Sequence, residues 1–332
     1  MSIGYWEYAG TRYQNKFRAI EASRGNINDI SFTLFENSPS FTEFNWSIEP
    51  QTSLNELMKQ RALQLRDTYK YIKLFYSGGH DSHTVLNTFL KNNIHIDEII
   101  VYRFAANNKF ESTLGDYEIL DYTLPYLKSI QNTLLSNTKI TVYDYGYEYY
   151  DKYLSEKWFY TKNNFTVRHN YIPKIRGKNF CNIFCSNDPE LVYENGRWYA
   201  DFWDSNIEEL VGFSNIEMFY TTPNLPELHC KQCHIQKQLM INNNLFNFTR
   251  TDRKRITRDL LRDNPPVILK PELTKQNHGM FDLPKENLTF KQTFTEGFKD
   301  RYKNLVANYK INGVPVCRQL IGYNCYKFDI GV

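Results

Sequence analysis

The sequence predicts an α/β fold, with a parallel sheet and helices on both of its faces. Three short apolar runs support this prediction: IKLF from Ile72, IIVY from Ile99 and ITVY from Ile140. The segments between these runs have apolar residues at helical spacing. Strands that alternate with helices form βαβ units, in which the strands are parallel.

The other elements follow in order along the chain. Residues 1–68 are expected to form an N-terminal cap region that ends in a helix, because apolar residues recur at helical spacing from Leu54 to Leu65. A second helix is expected from Ser82, and a third from Asp116 to Leu135. The run from Asn179 to Cys185 predicts a further strand.

Beyond this strand the sequence predicts a β-hairpin. Asn195-Gly196 joins two aromatic runs, and Asn-Gly is a strong hairpin signal. Another helix is expected after Pro226. We place the central α/β domain at residues 69–250 and a C-terminal accessory region at residues 251–332.

Composition indicates a soluble globular protein. Of the 332 residues, 41% are hydrophobic and 23% are charged. No run approaches the ~18 apolar residues of a membrane span, and no N-terminal segment resembles a signal peptide. We therefore expect a cytoplasmic protein without a membrane partner, whose six cysteines are reduced. The net charge of +3 is too small to predict a nucleic-acid partner by itself.

The most informative stretch is SGGHDS, from Ser77 to Ser82, between a predicted strand and a predicted helix. Two adjacent glycines carry no Cβ atoms and let the backbone approach a ligand closely. The N–H groups and the dipole at the start of the helix favour an anion, above all a phosphate. The stretch lacks the lysine of the Walker pattern GxxxxGK[ST], and it does not follow the dinucleotide pattern GxGxxG.

SGGHDS resembles the SGGxDS motif of the PP-loop ATP pyrophosphatase superfamily, which includes asparagine synthetases, tRNA thiolases and PAPS reductases. Two later blocks, SNDPELVYENGRWYADFWD and FYTTPNLPELHCKQCHIQK, look like blocks of uncharacterised PP-loop proteins encoded by tailed phages. The first block departs from that pattern, because it reads Ser-Asn-Asp-Pro-Glu where a Gly and a Lys are common. The resemblance implies a HUP-like fold that binds ATP with Mg²⁺ and cleaves ATP between its α- and β-phosphates.

Carried onto this sequence, the resemblance implies roles for individual residues. The serines and glycines of the motif would hold the pyrophosphate part of ATP, and Asp81 would bind Mg²⁺. Asp81 and Ser77 are the catalytic candidates, while His80 falls on the variable position of the motif. By its position near the predicted mouth of the sheet, and not by the resemblance, Asp188 is a further candidate for Mg²⁺, with an ordinary surface carboxylate as the alternative. Residues that end the second strand would hold adenine, although an ordinary strand end is the alternative there. The nucleotide-binding candidates are Ser77, Gly78, Gly79, His80, Asp81, Ser82, Tyr102 and Arg103.

The resemblance predicts an enzyme that adenylates an oxygen of an acceptor substrate and lets an amine, ammonia or a sulfur nucleophile displace AMP. Modification of a nucleotide or a nucleic acid is the reaction class we expect. Two alternatives stay open: a tRNA-type sulfur transferase with Cys230 or Cys233 as thiol carrier, and a non-catalytic nucleotide-binding or structural protein. A built-in glutaminase with an N-terminal catalytic cysteine is not expected, because the first cysteine is Cys181.

Two further features have both a functional and a structural interpretation. Cys181, Cys185, Cys230 and Cys233 could hold Zn²⁺ or an iron–sulfur cluster, or they could be buried as small apolar residues. The segment 250–262 is rich in arginine and could bind nucleic acid. A solvated, salt-bridged helix is the alternative for that segment.

Overall fold

The computed structural model of the chain describes residues 3–24, 26–103, 119–144, 179–185, 190–204, 207, 210–247, 310–311, 314–315 and 323–332. Its N-terminal part forms a small antiparallel sheet in the strand order β2-β1-β3, together with three α-helices. The elements are β1 (Gly4–Tyr8), β2 (Thr11–Tyr13), α1 (Lys16–Ala22), β3 (Ser31–Leu34), α2 (Pro39–Thr42) and α3 (Leu54–Thr68). The Ser53 side chain caps α3 by accepting a hydrogen bond from Glu56 N, and the predicted helix is confirmed.

The next segments supply most of the α/β unit. They are β4 (Tyr71–Phe75), α4 (His80–Lys91), β5 (Glu98–Arg103), α5 (Leu124–Gln131), β6 (Lys139–Asp144) and β7 (Phe180–Phe184). A π-helical turn, Ile119–Thr123, leads directly into α5. Helix α4 begins earlier than the predicted start at Ser82, because Gly79, in an extended conformation, is its N-cap.

A hairpin, a short strand and a long helix follow, and the last strand returns to the hairpin. These elements are β8 (Leu191–Glu194), β9 (Arg197–Trp203), β10 (Ile216–Met218), α6 (Pro226–Asn242), β11 (Lys310–Ile311), β12 (Val314–Pro315) and β13 (Asn324–Asp329). In the hairpin turn, Asn195 and Gly196 both have positive φ, 51° and 80°, as a type I′ turn requires. The predicted Asn-Gly hairpin is confirmed. None of the described helices has the length and apolarity needed to cross a membrane.

Five strands form one all-parallel sheet in the order β10-β7-β4-β5-β6. This sheet and its helices confirm the predicted α/β class. The chain winds outward from β4 through β5 to β6, and then continues on the other side of β4 with β7 and β10. The direction of winding reverses between β4 and β7, and doubly wound sheets have a crevice at the carboxyl ends of the strands at such a point.

The two faces of this sheet have different neighbours. Ile72, Leu74 and Val101 are buried in one apolar cluster with residues of α3, α4 and α5, which we call the helix-side cluster. Phe75 and Phe184 belong instead to a second cluster with residues of β1, β3 and β9, which we call the strand-side cluster. In the described part of the chain, helices α3, α4 and α5 thus cover one face. The predicted placement of helices on both faces stays a prediction.

The N- and C-terminal segments pack onto the hairpin. Strand β13 pairs antiparallel with β9, and Tyr326 OH donates a hydrogen bond to Leu34 O at 2.7 Å. Lys16 and Asp204 form an ion pair of 2.8 Å in which both side chains are buried. Residues of the predicted cap and accessory regions therefore share the strand-side cluster with β9. The predicted boundary at residue 250 lies outside the described residues.

Candidate functional site

The SGGHDS stretch connects β4 to α4 at the point where the winding of the sheet reverses. Ser77, Gly78 and Gly79 form the loop, and α4 begins at His80. Strand β5 lies on one side of β4 and strand β7 on the other. In open parallel sheets, ligands bind beyond the carboxyl ends of the strands at this position. The structure therefore places the residues of the motif where such a sheet holds its ligand.

Gly78 has two independent reasons to be glycine. Its φ of +71° is a left-handed conformation, which costs other residues about 1–2 kcal/mol. A Cβ at this position would also lie only 2.1 Å from Thr123 Oγ1. Gly79 differs, since its φ of −76° is open to most residues and a Cβ there would meet Ser77 Oγ at 3.2 Å. The loop conformation therefore depends more on the first glycine than on the second.

The two serines of the motif stabilise the loop through hydrogen bonds within it. Ser82 Oγ accepts a hydrogen bond from Ser77 N and donates one to Gly79 O, both at 3.2 Å. Ser77 Oγ lies 3.1 Å from Ser82 Oγ and accepts a hydrogen bond from Gly79 N at 3.2 Å. Ser82 is buried, whereas Ser77 is exposed. Ser82 thus shapes the loop, and Ser77 is the serine that a ligand can reach.

The first turn of α4 combines a positive helix end with a carboxylate. The N-cap residue, Gly79, makes no side-chain hydrogen bond to this end of the helix, and the dipole at the start of a helix favours an anion. Asp81 lies in this turn, and its backbone carbonyl accepts a hydrogen bond from Tyr220 OH at 2.9 Å. A phosphate and the Asp81 carboxylate repel each other unless a cation lies between them. The turn therefore suits an anion that arrives with a metal ion.

Binding of Mg²⁺ by Asp81 stays a prediction, and most ligands of such an ion would come from the substrate. Among the residues that the structure describes, no three His, Cys, Asp or Glu side chains are grouped so that they could hold a metal ion. Mg²⁺ commonly binds one or two carboxylates, with phosphate oxygens and water as its other ligands. Asp81 can supply the protein's part of that arrangement. Asp188, the other candidate, lies outside the described residues.

A buried polar pair joins the end of β4 to the first turns of α4. Tyr76 OH and His83 Nδ1 lie 2.7 Å apart, and both residues are 3% exposed. The Tyr126 ring, from α5, packs against the His83 ring at a centroid distance of 4.9 Å. Burial raises the pKa of the Tyr76 hydroxyl far above its usual range, so the hydroxyl stays protonated. The pair keeps the two ends of the loop at a defined separation.

Sequence reasoning identified neither this pair nor two other residues that contact the loop and the start of α4. Tyr76 and His83 directly flank the SGGHDS motif, and that adjacency is a signal that could have indicated them. Thr123 approaches the loop from the turn before α5, and Tyr220, from the segment after β10, contacts the first turn of α4. Their contacts depend on long-range packing, which no spacing in the sequence signals.

Tyr102 and Arg103 end β5 at the same edge of the sheet as the loop. Both are partly buried. The Tyr102 ring packs against Phe75 at 5.3 Å and against Tyr143 at 6.1 Å. A ligand that extends from the loop across the end of β5 would meet these two residues. Their contact with adenine stays a prediction.

The four cysteines of the expected metal site do not come together. Cys181 and Cys185 belong to the helix-side cluster, whereas Cys230 and Cys233 belong to the strand-side cluster. Among the described residues, no three His, Cys, Asp or Glu side chains are grouped so that they could hold a metal ion, so the structure does not support a Zn²⁺ or iron–sulfur site at these cysteines. Burial raises the pKa of the Cys230 thiol to about 12. It also raises the pKa of the other three thiols. All four side chains are buried among apolar residues.

The basic segment 250–262 lies outside the described residues, and nucleic-acid binding through it stays a prediction. No protein-family model matches the chain, and no curated protein or solved structure matches it either. A functional proposal therefore depends on the geometry around the SGGHDS loop and on the motif itself.

Proposed function

We propose that this chain is an ATP pyrophosphatase of the PP-loop type with a HUP-like fold, which adenylates an oxygen of its substrate. One observation carries the proposal: a loop with a left-handed Gly78 opens an uncapped helix at the reversal point of an all-parallel sheet. The motif and the strand order are independent features of the chain. Both support the proposal of a phosphate ligand at this end of the sheet.

In the proposed reaction, a substrate oxygen attacks the α-phosphorus of ATP, and the bond between that phosphorus and the α,β-bridging oxygen breaks. Pyrophosphate leaves, and the helix dipole and a bound Mg²⁺ would stabilise the charge that develops on it. An amine, ammonia or a sulfur nucleophile then attacks the activated substrate atom and loses its proton. AMP leaves with the transferred oxygen.

Each motif residue has a defined part in this proposal. Ser77, which is exposed, would donate a hydrogen bond to the pyrophosphate, and buried Ser82 would maintain the loop. Asp81 would hold Mg²⁺. Tyr102 and Arg103 would lie beside the adenine, at the end of the neighbouring strand.

The geometry favours chemistry at the loop over a cysteine thiol carrier. A carrier needs an accessible thiolate. Cys230 Sγ instead donates to Trp46 O at 3.6 Å and approaches Ile48 O at 3.7 Å. Its pKa of about 12 keeps this thiol protonated at neutral pH. A sulfur nucleophile, where the reaction uses one, would therefore come from a separate donor.

Product analysis with α-labelled ATP tests the proposal. The protein is incubated with Mg²⁺, ATP and a pooled extract of small molecules and RNA, and AMP is resolved from ADP. We expect AMP and pyrophosphate from the unmodified protein, and a rate at least about 100-fold lower from Asp81→Asn. Asp67→Asn, which changes an exposed carboxylate on α3, is the matched control and should retain the full rate.

Each outcome leads to a different conclusion. AMP that requires Asp81 would support adenylation, and fractionation of the extract would then identify the acceptor. ADP with phosphate would show that the loop cleaves a different bond. ATP binding without turnover across all fractions would favour a non-catalytic nucleotide-binding protein.

A further inference from the structure

We propose that Thr123 is a positioning residue for the phosphate-accepting loop, and that its side chain holds Gly78 in the left-handed conformation. This inference rests on the proposed function, because it concerns the same site. Thr123 Oγ1 lies 2.1 Å from the point that a Cβ on Gly78 would occupy, and Thr123 Cβ and Cγ2 lie 3.2 and 3.4 Å from that point. The threonine side chain therefore fills the space that the glycine leaves open.

Thr123 is itself firmly held. It is 4% exposed and is the last residue of the π-helical turn that begins at Ile119. Ile119 and Leu127, on either side of it, are buried in the helix-side cluster with residues of α4. A β-branched side chain has few χ1 states, and Pro125 restricts the backbone where α5 begins. The threonine thus presents a nearly fixed surface to the loop.

A fixed neighbour matters because glycine alone does not select a conformation. Gly populates positive and negative φ almost equally, so a loop built on Gly78 would exchange between states unless another group blocked the alternatives. Thr123 occupies the space beside the Gly78 Cα atom and restricts that exchange. A loop held in one conformation loses less entropy when an anion binds, and its affinity for that anion is higher.

Three measurements on Thr123 variants distinguish positioning from simple packing. The measurements are amide hydrogen exchange in the peptide 77–82, the Kd of inorganic pyrophosphate with Mg²⁺ by calorimetry, and the urea midpoint. Thr123→Ala removes Oγ1 and Cγ2, and we expect exchange in the loop and the Kd each to rise about tenfold. Thr123→Ser keeps Oγ1, the atom nearest to Gly78, and should stay within about twofold of the unmodified protein.

A double-mutant cycle tests the contact without any ligand. Gly78→Ala places a Cβ against Thr123, so it should shift the unfolding equilibrium much more in the unmodified protein than in Thr123→Ala. We expect the factor by which Gly78→Ala changes the unfolding equilibrium constant to be at least about fivefold larger in the unmodified protein than in Thr123→Ala. Gly79→Ala is the matched control, because its Cβ would meet Ser77 Oγ rather than Thr123. Its effect should be the same in both backgrounds.

The outcomes separate this inference from the proposed function. Equal effects of Gly78→Ala in both backgrounds would overturn the role of Thr123. So would a lower urea midpoint in Thr123→Ala without faster exchange in the loop, since that pattern indicates packing alone. An unmodified protein that binds neither pyrophosphate nor ATP would overturn the proposed function, and the exchange and cycle measurements would still decide whether Thr123 positions Gly78.

Discussion

The buried ion pair between Lys16 and Asp204 gives a quantitative test of how the N-terminal segment joins the rest of the chain. The two side chains are 1% and 0% exposed and their charged atoms lie 2.8 Å apart. Asp204 also accepts hydrogen bonds from Trp6 Nε1 at 2.9 Å and from Tyr323 N at 3.0 Å. One carboxylate thus connects α1, β1, the end of β9 and the residue just before β13.

Lys16→Met keeps much of the side-chain volume and removes the positive charge. Removing one partner of a buried pair typically costs 3–5 kcal/mol, because the other charge is left buried and uncompensated. Two neutral donors remain on Asp204, so we expect a loss near the lower limit, about 3 kcal/mol. Adding Asp204→Asn removes the remaining charge, and the double variant should lose less stability than Lys16→Met alone.

Urea unfolding at neutral pH, monitored by tryptophan fluorescence, measures these losses in the free energy of unfolding. They are calculated from the shifts in urea midpoint, with the m-value taken as the same for all variants. Lys59→Met is the control, since Lys59 forms an exposed pair with Glu56 at 3.7 Å, and should cost less than about 1 kcal/mol. A Lys16→Met variant within about 1 kcal/mol of that control would refute the reasoning about the buried charge. Two separate unfolding transitions would show that the N-terminal segment folds independently of the sheet.

The remaining predictions concern a hydroxyl and a thiol. Tyr220→Phe removes the donor to Asp81 O, and we expect a loss of about 1 kcal/mol in urea unfolding with the rate of AMP formation unchanged within about threefold. Burial raises the pKa of Cys230 from its ordinary value near 9 to about 12, so alkylation of this thiol in the native protein at pH 7 should be slow. Because the pKa of the Cys230 thiol is higher in the folded state than in the unfolded state, loss of its proton favours the unfolded state. Cys230 therefore leaves the free energy of unfolding unchanged below about pH 9 and lowers it progressively between pH 9 and about 12. Cys230→Ala should make the fall in urea midpoint over that range less steep than in the unmodified protein, and an equally steep fall would contradict this assignment.

The central sheet could be predicted from the sequence because the signals for its elements are local. The apolar runs that became β4, β5 and β6 are bounded by polar segments, and a buried parallel strand needs little more than such a run. The turn at Asn195 and Gly196 could also be predicted, since positive φ at both central positions is a property of those two residue types. The SGGHDS stretch located the loop for the same reason.

The features that could not be predicted depend on contacts between distant segments. Pairing of β13 with β9 joins segments that the sequence analysis assigned to different regions, and no periodicity relates them. Strand alternation indicates that Cys181 and Cys185 point to the same face, but nothing in the sequence indicates that Cys230 is buried in the other apolar cluster. The role of Thr123 depends on the path of the chain through the turn before α5, where one turn is π-helical.

In the proposed function, the Asp81 carboxylate would determine which kind of anion the loop accepts. The start of a helix carries roughly half a positive charge, which attracts a phosphate. A carboxylate in the first turn also stabilises the helix by itself, and that is the structural alternative for Asp81.

The same carboxylate weakens the binding of a free anion, whereas it attracts an anion that brings a divalent cation. A site for free phosphate would gain affinity from an uncharged residue here, and we therefore proposed a metal-bound nucleotide as the ligand. If Asp81 served only the helix, Asp81→Asn would lower stability slightly and leave AMP formation intact, which is why turnover rather than stability is the decisive measurement.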